Sequence, residues 1–597
     1  MMTTNTPDPE LDRDVEIPGS ATLANRLRAL LHAPPAETAR AETARGWIDV
    51  AYEAAYAERY TAAAEAADQG LHAAGGKDPE NRLMLLRVLS GVHEMRGDSA
   101  AASPYLNQRV ELLRSLGRTR QASIEADLGS MLLREPDRVE GEILARVAED
   151  LRTASTGSPG VELADVLSSR AVRVLHDEGP DAALPLVQES CDILLRLERT
   201  DALAGARMFL AHTLLLSGEP EQALEIADAV LGQPANRAVR GAMAMLRATV
   251  HHYQDRPDDA ASDAIIAVEL YAACGVRKGA ASAAALLAGL TAATDDGENA
   301  VLAWKVAIRQ AELGEVEESR MLTLALGQQL LDLSQYREAE EVLEALCSQL
   351  DSTGSHRSAR GRALMGLGHA VTQQKRPLEA MAHWKEAAQL FIADDDAEEA
   401  ARAYLAAGAL ASSLDRLEAA QDCYEKGLEW ADAAEEADPL MLLQALHSLG
   451  HLLSRREEES GLEHLHRAMG IAREHGSAWQ VADVTDTLAR GYTALGRGTE
   501  AVSTALTAAD LFSQAEDRES AGDAELFAAR VLQEMGRADE ASSLYGITAA
   551  ELADHPRILA EALEGQIDTF TALGKPERAE ELRPRLRRAR RRAAETG

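Results

Sequence analysis

The chain has 597 residues and a formal charge of −37, from 98 Asp and Glu against 61 Lys and Arg. A surface this acidic repels nucleic acid and anionic lipid over most of its area, which argues against either as a general partner. Hydrophobic residues make up 46% of the chain and aromatics only 4%, so a large interior must be built from Ala, Leu and Val, side chains small enough for helices to approach closely.

Residues 1–20 carry five carboxylates between Asp8 and Glu16 and no apolar run. They are expected to form a disordered acidic leader, not a secretory signal. From residue 21 to 582 the chain reads as one helical array, with no alternating run of β-branched and aromatic residues to mark a strand. No stretch reaches the 18 uninterrupted apolar residues of a membrane span. Cys191, Cys274, Cys347 and Cys423 stand far apart without a C-x-x-C pair, as expected of core thiols in a reducing, cytoplasmic setting.

The organising feature is a period. Small residues recur at Ala63, Ala102, Gly141, Ala183, Ala223, Ala260, Ala300, Ala339, Ala380, Ala420, Gly461, Ala501, Ala541 and Ala579, in steps of 37 to 42 residues. Each follows a turn signal: Ser217–Gly218–Glu219–Pro220, Lys375–Arg376–Pro377 and Gly574–Lys575–Pro576 are examples. Gly is suited to a left-handed helix end, and Pro to the first position of the next helix, where its missing N–H is no loss. Twelve residues before each anchor stands another small residue, among them Ala51, Gly129, Ala211, Gly368, Gly408, Ala489 and Ala529. In the eleventh unit it is Gly450, one place out of register, and only Ile567 in the last unit breaks the rule. The pattern predicts about fourteen stacked helical hairpins whose helices cross without a side chain between them. Thr153–Gly160 is the best candidate linker.

Leu488–Ala489, Tyr492, Gly496 and Ala501, and Leu367–Gly368, Ala380, Trp384 and Ala387, carry a resemblance to the tetratricopeptide repeat family. It covers roughly residues 35–590. The family's repeat is about 34 residues, so the longer period here implies extra helical turns. The resemblance implies an all-α, right-handed superhelical solenoid with first helices lining a concave groove.

Chemistry is sparse. No phosphate loop, G-x-S-x-G elbow or kinase signature occurs, so no catalytic residue and no cofactor are assigned. His447 and His451 share a helix face, but Ser448 stands where H-E-x-x-H needs Glu, and no metal site is assigned. Seven arginines in ten residues, Arg583–Arg592, read as the polar end of a capping helix over 583–597. Nucleic-acid binding by this run is the alternative, without aromatic residues to support base stacking.

The function these observations point to is a non-catalytic protein- or peptide-binding scaffold. A second reading is the ligand-sensing arm of a regulatory system whose effector sits on another chain. In the resembled family the groove residues lie 18, 15, 11 and 8 places before the anchor. Those offsets give Arg362, Met365, His369, Arg402, Arg490 and Arg530, and with the register shift His447 and His451. Apart from Met365 this stripe is cationic or able to become so, interrupted by Asp483, Asp486 and Asp523. It predicts an acidic partner, bound less tightly as salt rises and above about pH 6.5.

Overall fold

The computed structural model of the chain describes residues 22–34, 41–119, 121–123, 125–126, 141–154, 160–233, 235–316, 318–350, 356–434 and 438–596. The leader, Gly129 of the small-residue series and 155–159 of the candidate linker lie outside them. Among the described residues there are twenty-eight α-helices and no strand, and no helix is long and apolar enough to cross a membrane. The chain divides into two compact units, Met1–Leu333 and Ser334–Gly597.

The long period has a simple origin. Ala397–Ser413 and Leu417–Ala433 are 17 residues each, as are Ala478–Ala494, Gly498–Gln514 and Arg518–Glu534. Three residues join the helices at 414–416, 495–497 and 515–517, so there a helix with its turn takes twenty residues and a hairpin forty. The turn within a hairpin and the turn between hairpins have the same geometry. The middle residue is left-handed: Asp415 has φ 55°, Gly496 72° and Glu516 61°. The third residue donates its N–H to the carbonyl five places back, as in Arg416 to Ala411 (2.9 Å), Arg497 to Tyr492 (2.8 Å) and Asp517 to Phe512 (2.9 Å). This bond closes the helix end. Glycine is therefore not required: eleven described residues with positive φ are not Gly, each at a cost of roughly 1 kcal/mol that the closed hairpin offsets. Some of the following helices open with Pro in the first turn, as at Pro377, and others with an Asp cap, as where Asp396 accepts from Glu399 N–H at 3.2 Å.

Every anchor alanine is buried, from Ala63 at 0% exposure to Ala579 at 2%. The small residue twelve places earlier does what the crossing needs. At Gly368 a Cβ would lie 2.2 Å from Trp384 Nε1, and at Gly408 one would lie 2.6 Å from the Tyr424 ring; the aromatic of the second helix fills the room the first helix leaves. In the eleventh unit the backbones themselves touch: a Cβ at Gly450 would sit 3.0 Å from the Gly461 carbonyl oxygen, and one at Gly461 2.8 Å from that of Gly450. The left-handed Glu457 lies five places before Leu462, so by the turn geometry the anchor place of this unit is Leu462.

The N-terminal unit departs from simple neighbour stacking. Its first described helix, Leu23–His32, buries Leu27 and Leu30 in a core shared with residues far downstream. Arg26 grips Glu269 with two hydrogen bonds of 2.7 and 2.6 Å. In the helix Ala44–Tyr56, buried Glu53 accepts from the backbone N–H of Arg237 (3.0 Å) and from its guanidinium (3.2 and 2.9 Å). The early helices thus close onto helices some two hundred residues later within the same unit.

Candidate partner-binding groove

In the C-terminal unit, three consecutive first helices line an open groove of about 570 Å³. Ala397–Ser413 contributes Arg402, Leu405, Ala406 and Ala409; Pro439–Arg455 contributes Leu440, Met441, Leu443, Gln444 and His447, with Asp438 at its cap; Ala478–Ala494 contributes Trp479, Gln480, Asp483 and Val484. The spacings are those of one helix face. Arg402, Gln444 and Asp483 form a row, each 18 places before its anchor when the eleventh is taken as Leu462. The floor is aliphatic, and the rim carries amide, imidazole and carboxylate groups.

The eight expected groove residues divide. Arg402 and His447 line this groove. His451 and Arg490 lie a turn further along the same helices, and Arg530 lies on Arg518–Glu534. Arg362 and His369 are exposed on Arg357–Gln373, where His369 stacks on Tyr336 with ring centroids 6.3 Å apart. Met365 is half-buried, and its carbonyl accepts from Trp384 Nε1 at 3.1 Å. These six are not part of the groove lining.

The charges also differ from the expected stripe. Arg402 is held by Glu398 at 2.8 Å and lies 3.9 Å from Glu399. Arg490 donates to Asp486 at 2.6 Å and lies over the Phe527 ring at 4.7 Å. Arg530 pairs with Glu561 at 3.4 Å. Burial lowers the pKa of His447, whose Nε2 shares a 2.7 Å hydrogen bond with Thr487 Oγ1 and whose Nδ1 is 3.6 Å from Asp483. His451 is lowered too, first by the helices packed around it and then by His447, Arg455 and Arg490. Burial thus shifts both imidazoles toward their neutral forms, and Arg402, Arg490 and Arg530 already have carboxylates. Asp483 moves the other way: burial, and then the charge of Asp486, push it up to about 6. Along Ala397–Ser413, Pro439–Arg455 and Ala478–Ala494 the stripe is therefore not a free cationic track, and His447 and His451 are shifted away from the charge that the expected weakening above pH 6.5 calls for.

Two residues that the family offsets miss dominate the lip. Trp479 and Leu440 are each 44% exposed. Trp479 Nε1 donates to Asp517 Oδ2 at 3.0 Å, and its ring meets Phe512 edge-on at 6.0 Å. They stand one turn before the row 18 places from the anchor. The available signal is a tryptophan on the first turn of a first helix in a chain with only five.

Hairpins of like geometry, a buried small anchor in the second helix, a small crossing residue in the first, and first helices sharing one groove are together decisive. The chain has the tetratricopeptide-like repeat fold. Within this repeat array no three His, Cys, Asp or Glu side chains converge to hold a metal ion among the described residues. The last helix, Pro576–Thr596, packs Leu582, Leu586 and Ala589 against the preceding core. Three of its arginines are paired: Arg583 with Glu580 (3.2 Å), Arg590 with Glu564 (2.5 Å) and Arg591 with Glu595 (3.1 Å).

No family model and no curated protein matches the sequence. Among solved structures the array is similar to a signal-transduction ATPase with a tetratricopeptide repeat sensor from Pyrococcus horikoshii, at 13% identity over 81% of this chain and 71% of that one, with a TM-score of 0.41. It is also similar to the apo form of the quorum sensor NprR from B. thuringiensis, at 14% identity over 59% and 99% of the two chains and a TM-score of 0.34. A third is the Cut9-Hcn1 hetero-tetramer of the APC/C, at 15% identity over 90% and 95% and a TM-score of 0.30. Each is a likeness of helical repeats alone.

Proposed function

We propose that the chain is a non-catalytic repeat array that binds a protein or peptide segment in the groove formed by Ala397–Ser413, Pro439–Arg455 and Ala478–Ala494. The observation that carries this reading is the exposed apolar lip of Leu440 and Trp479 beside the rim of Gln444, Gln480 and Asp483. A large aromatic next to an aliphatic floor accepts an apolar side chain, and the amides and carboxylate orient the segment through its N–H groups.

The charge balance of the lining selects the segment. Arg402 is occupied by Glu398, and one oxygen of Asp438 accepts from the Leu440 N–H at 2.9 Å. Asp483 is left as the carboxylate with least compensation. The segment that fits places a basic or N–H-donating group there, making a charge-assisted hydrogen bond. An acidic segment would meet Asp438 and Asp483 instead.

The test is capture of partners from native extract by the full chain, with Trp479→Ala and Ala409→Arg as groove variants. Ala409→Arg fills the floor from an exposed helix face. Loss of the captured protein in both variants, with helical content unchanged, supports the groove. Undiminished capture by both folded variants removes it.

A further inference from the structure

In the N-terminal unit three arginines from separate stretches meet where the early helices close on the later ones. Arg59, at the cap of Tyr60–Ala74, donates Nη2 to the carbonyl oxygen of Cys274 at 3.0 Å. Its guanidinium carbon lies 3.2 Å from where a Cβ on Gly275 would sit. Gly275 has φ 82°, so the turn offers bare backbone for the guanidinium to lie on. Two residues later Arg277 opens the helix Arg277–Ala293 and donates Nη1 to Gln310 Oε1 at 2.6 Å. Arg309, beside Gln310, donates Nη2 to the carbonyl oxygen of Ala33 at 2.9 Å.

Each of these acceptors is neutral. Elsewhere in this unit arginines meet carboxylates: Arg26 has Glu269 and Arg247 has Asp263. At this junction the buried carboxylate is Glu53, and both its oxygens are occupied by Arg237. The Nε atoms of Arg59 and Arg309 are buried and have no hydrogen-bond partner among the described residues. Burial, and then the charges of Arg59 and Arg309, hold Arg277 below the usual arginine range. A half-buried cluster of like charges with unused N–H groups, inside a protein of net charge −37, has no anion bound to it among the described residues.

We propose that Arg59, Arg277 and Arg309 form a binding site for a phosphoryl group, free or esterified, whose oxygens take the guanidinium N–H groups that have no partner. Planar guanidinium forks match a tetrahedral oxyanion well. The occupied site would link the early helices, through Arg59, to the helices Arg277–Ala293 and Gly297–Leu313. Binding would therefore stabilise the closed unit.

The experiment uses the full chain in a phosphate-free buffer of low chloride. Inorganic phosphate and glycerol 3-phosphate are titrated separately, by calorimetry and by thermal melting, with sodium chloride matched for ionic strength. The expected result is a saturable rise in melting temperature with phosphate and none with chloride. A response to the ester alone would place the natural ligand among phosphomonoesters; a response to both leaves the free ion sufficient. Arg277→Gln and Arg309→Gln should each weaken phosphate binding by about tenfold or more. Without anion, Arg277→Gln should melt at or above the wild-type temperature, because it relieves like-charge crowding. A purely structural arginine would instead lower the melting point and leave any phosphate response intact. That result, or no saturable response in the wild type by calorimetry and by ³¹P line broadening, overturns the proposal. Should one variant not fold, the other and the wild-type ³¹P titration decide it.

Discussion

The indole N–H of Trp479 donates to Asp517 Oδ2 at 3.0 Å, while Oδ1 of the same carboxylate caps the next first helix by accepting from Ser520 N–H at 3.0 Å. One side chain therefore starts a helix and fixes the aromatic lip of the groove. Asp517 is held below the usual carboxylate range, first by the Ser520 backbone N–H. Asp517→Ala loses both roles and should destabilise the unit by about 1 kcal/mol. Asp517→Ser keeps a cap but cannot reach the indole. It should melt close to wild type and capture the partner less well. Equal capture by the serine variant would show that the indole's orientation does not matter for binding.

The crossing at Gly368 makes a second prediction. A methyl there would collide with the Trp384 ring, whose Nε1 is fixed to the Met365 carbonyl at 3.1 Å. Gly368→Ala should cost about 1–3 kcal/mol through overpacking, as should Ala380→Leu or Ala501→Leu at the buried anchors. Urea titration of helical content measures this. Gly368→Ala combined with Trp384→Leu should recover part of the loss, because the smaller side chain makes room. Neutral anchor substitutions would mean that the hairpins do not pack at these places.

These crossings were legible in the sequence because the constraint is steric and local. Gly368 must be small for Trp384, and Ala380 must be small for the helix it meets, so the period recurs wherever a hairpin closes. The row of Arg402, Gln444 and Asp483 was legible in part, through an offset from the anchor. Its electrostatics were not. The ion pairs Glu398–Arg402 and Asp486–Arg490 lie four residues apart and consume the cations that a count of charges treats as free. Trp479 lay outside the offsets because the groove runs a turn nearer the helix starts. The closure of the N-terminal unit had no local signature at all. Glu53 and Arg237 are 184 residues apart, and no period relates them.

The four cysteines give a chemical check on the core. All are buried. Burial pushes Cys191 and Cys274 up to about 12 and Cys347 to about 11, and Cys423 is raised as well. The thiolate is the reactive form. At pH 8 a thiol reagent such as DTNB should therefore leave the native chain almost unlabelled and titrate all four thiols after denaturation. Prompt labelling of a native thiol would place that helix face at the surface.

Titration of the groove separates a basic partner segment from an acidic one. Asp483 has its pKa raised from 3.8 to about 6, so folding favours its protonated form. Its contribution is full below the unfolded value and is lost as pH rises through the folded value, between about pH 4 and pH 6. His447 and His451 are lowered from 6.5, so folding favours their neutral forms. That contribution is present above the unfolded value and is lost as pH falls through the folded one. Asp483→Asn should raise the melting temperature at pH 7 and remove the carboxylate's part of the pH dependence. Partner capture should respond in the opposite sense. A donor placed against Asp483 needs the carboxylate, so binding to the wild type should strengthen from about pH 5 to about pH 7, and the rise should vanish in Asp483→Asn. An acidic segment held by protonated histidines would bind more weakly over the same interval. Binding that falls with pH in the wild type would therefore reject the basic segment while leaving the groove itself in place.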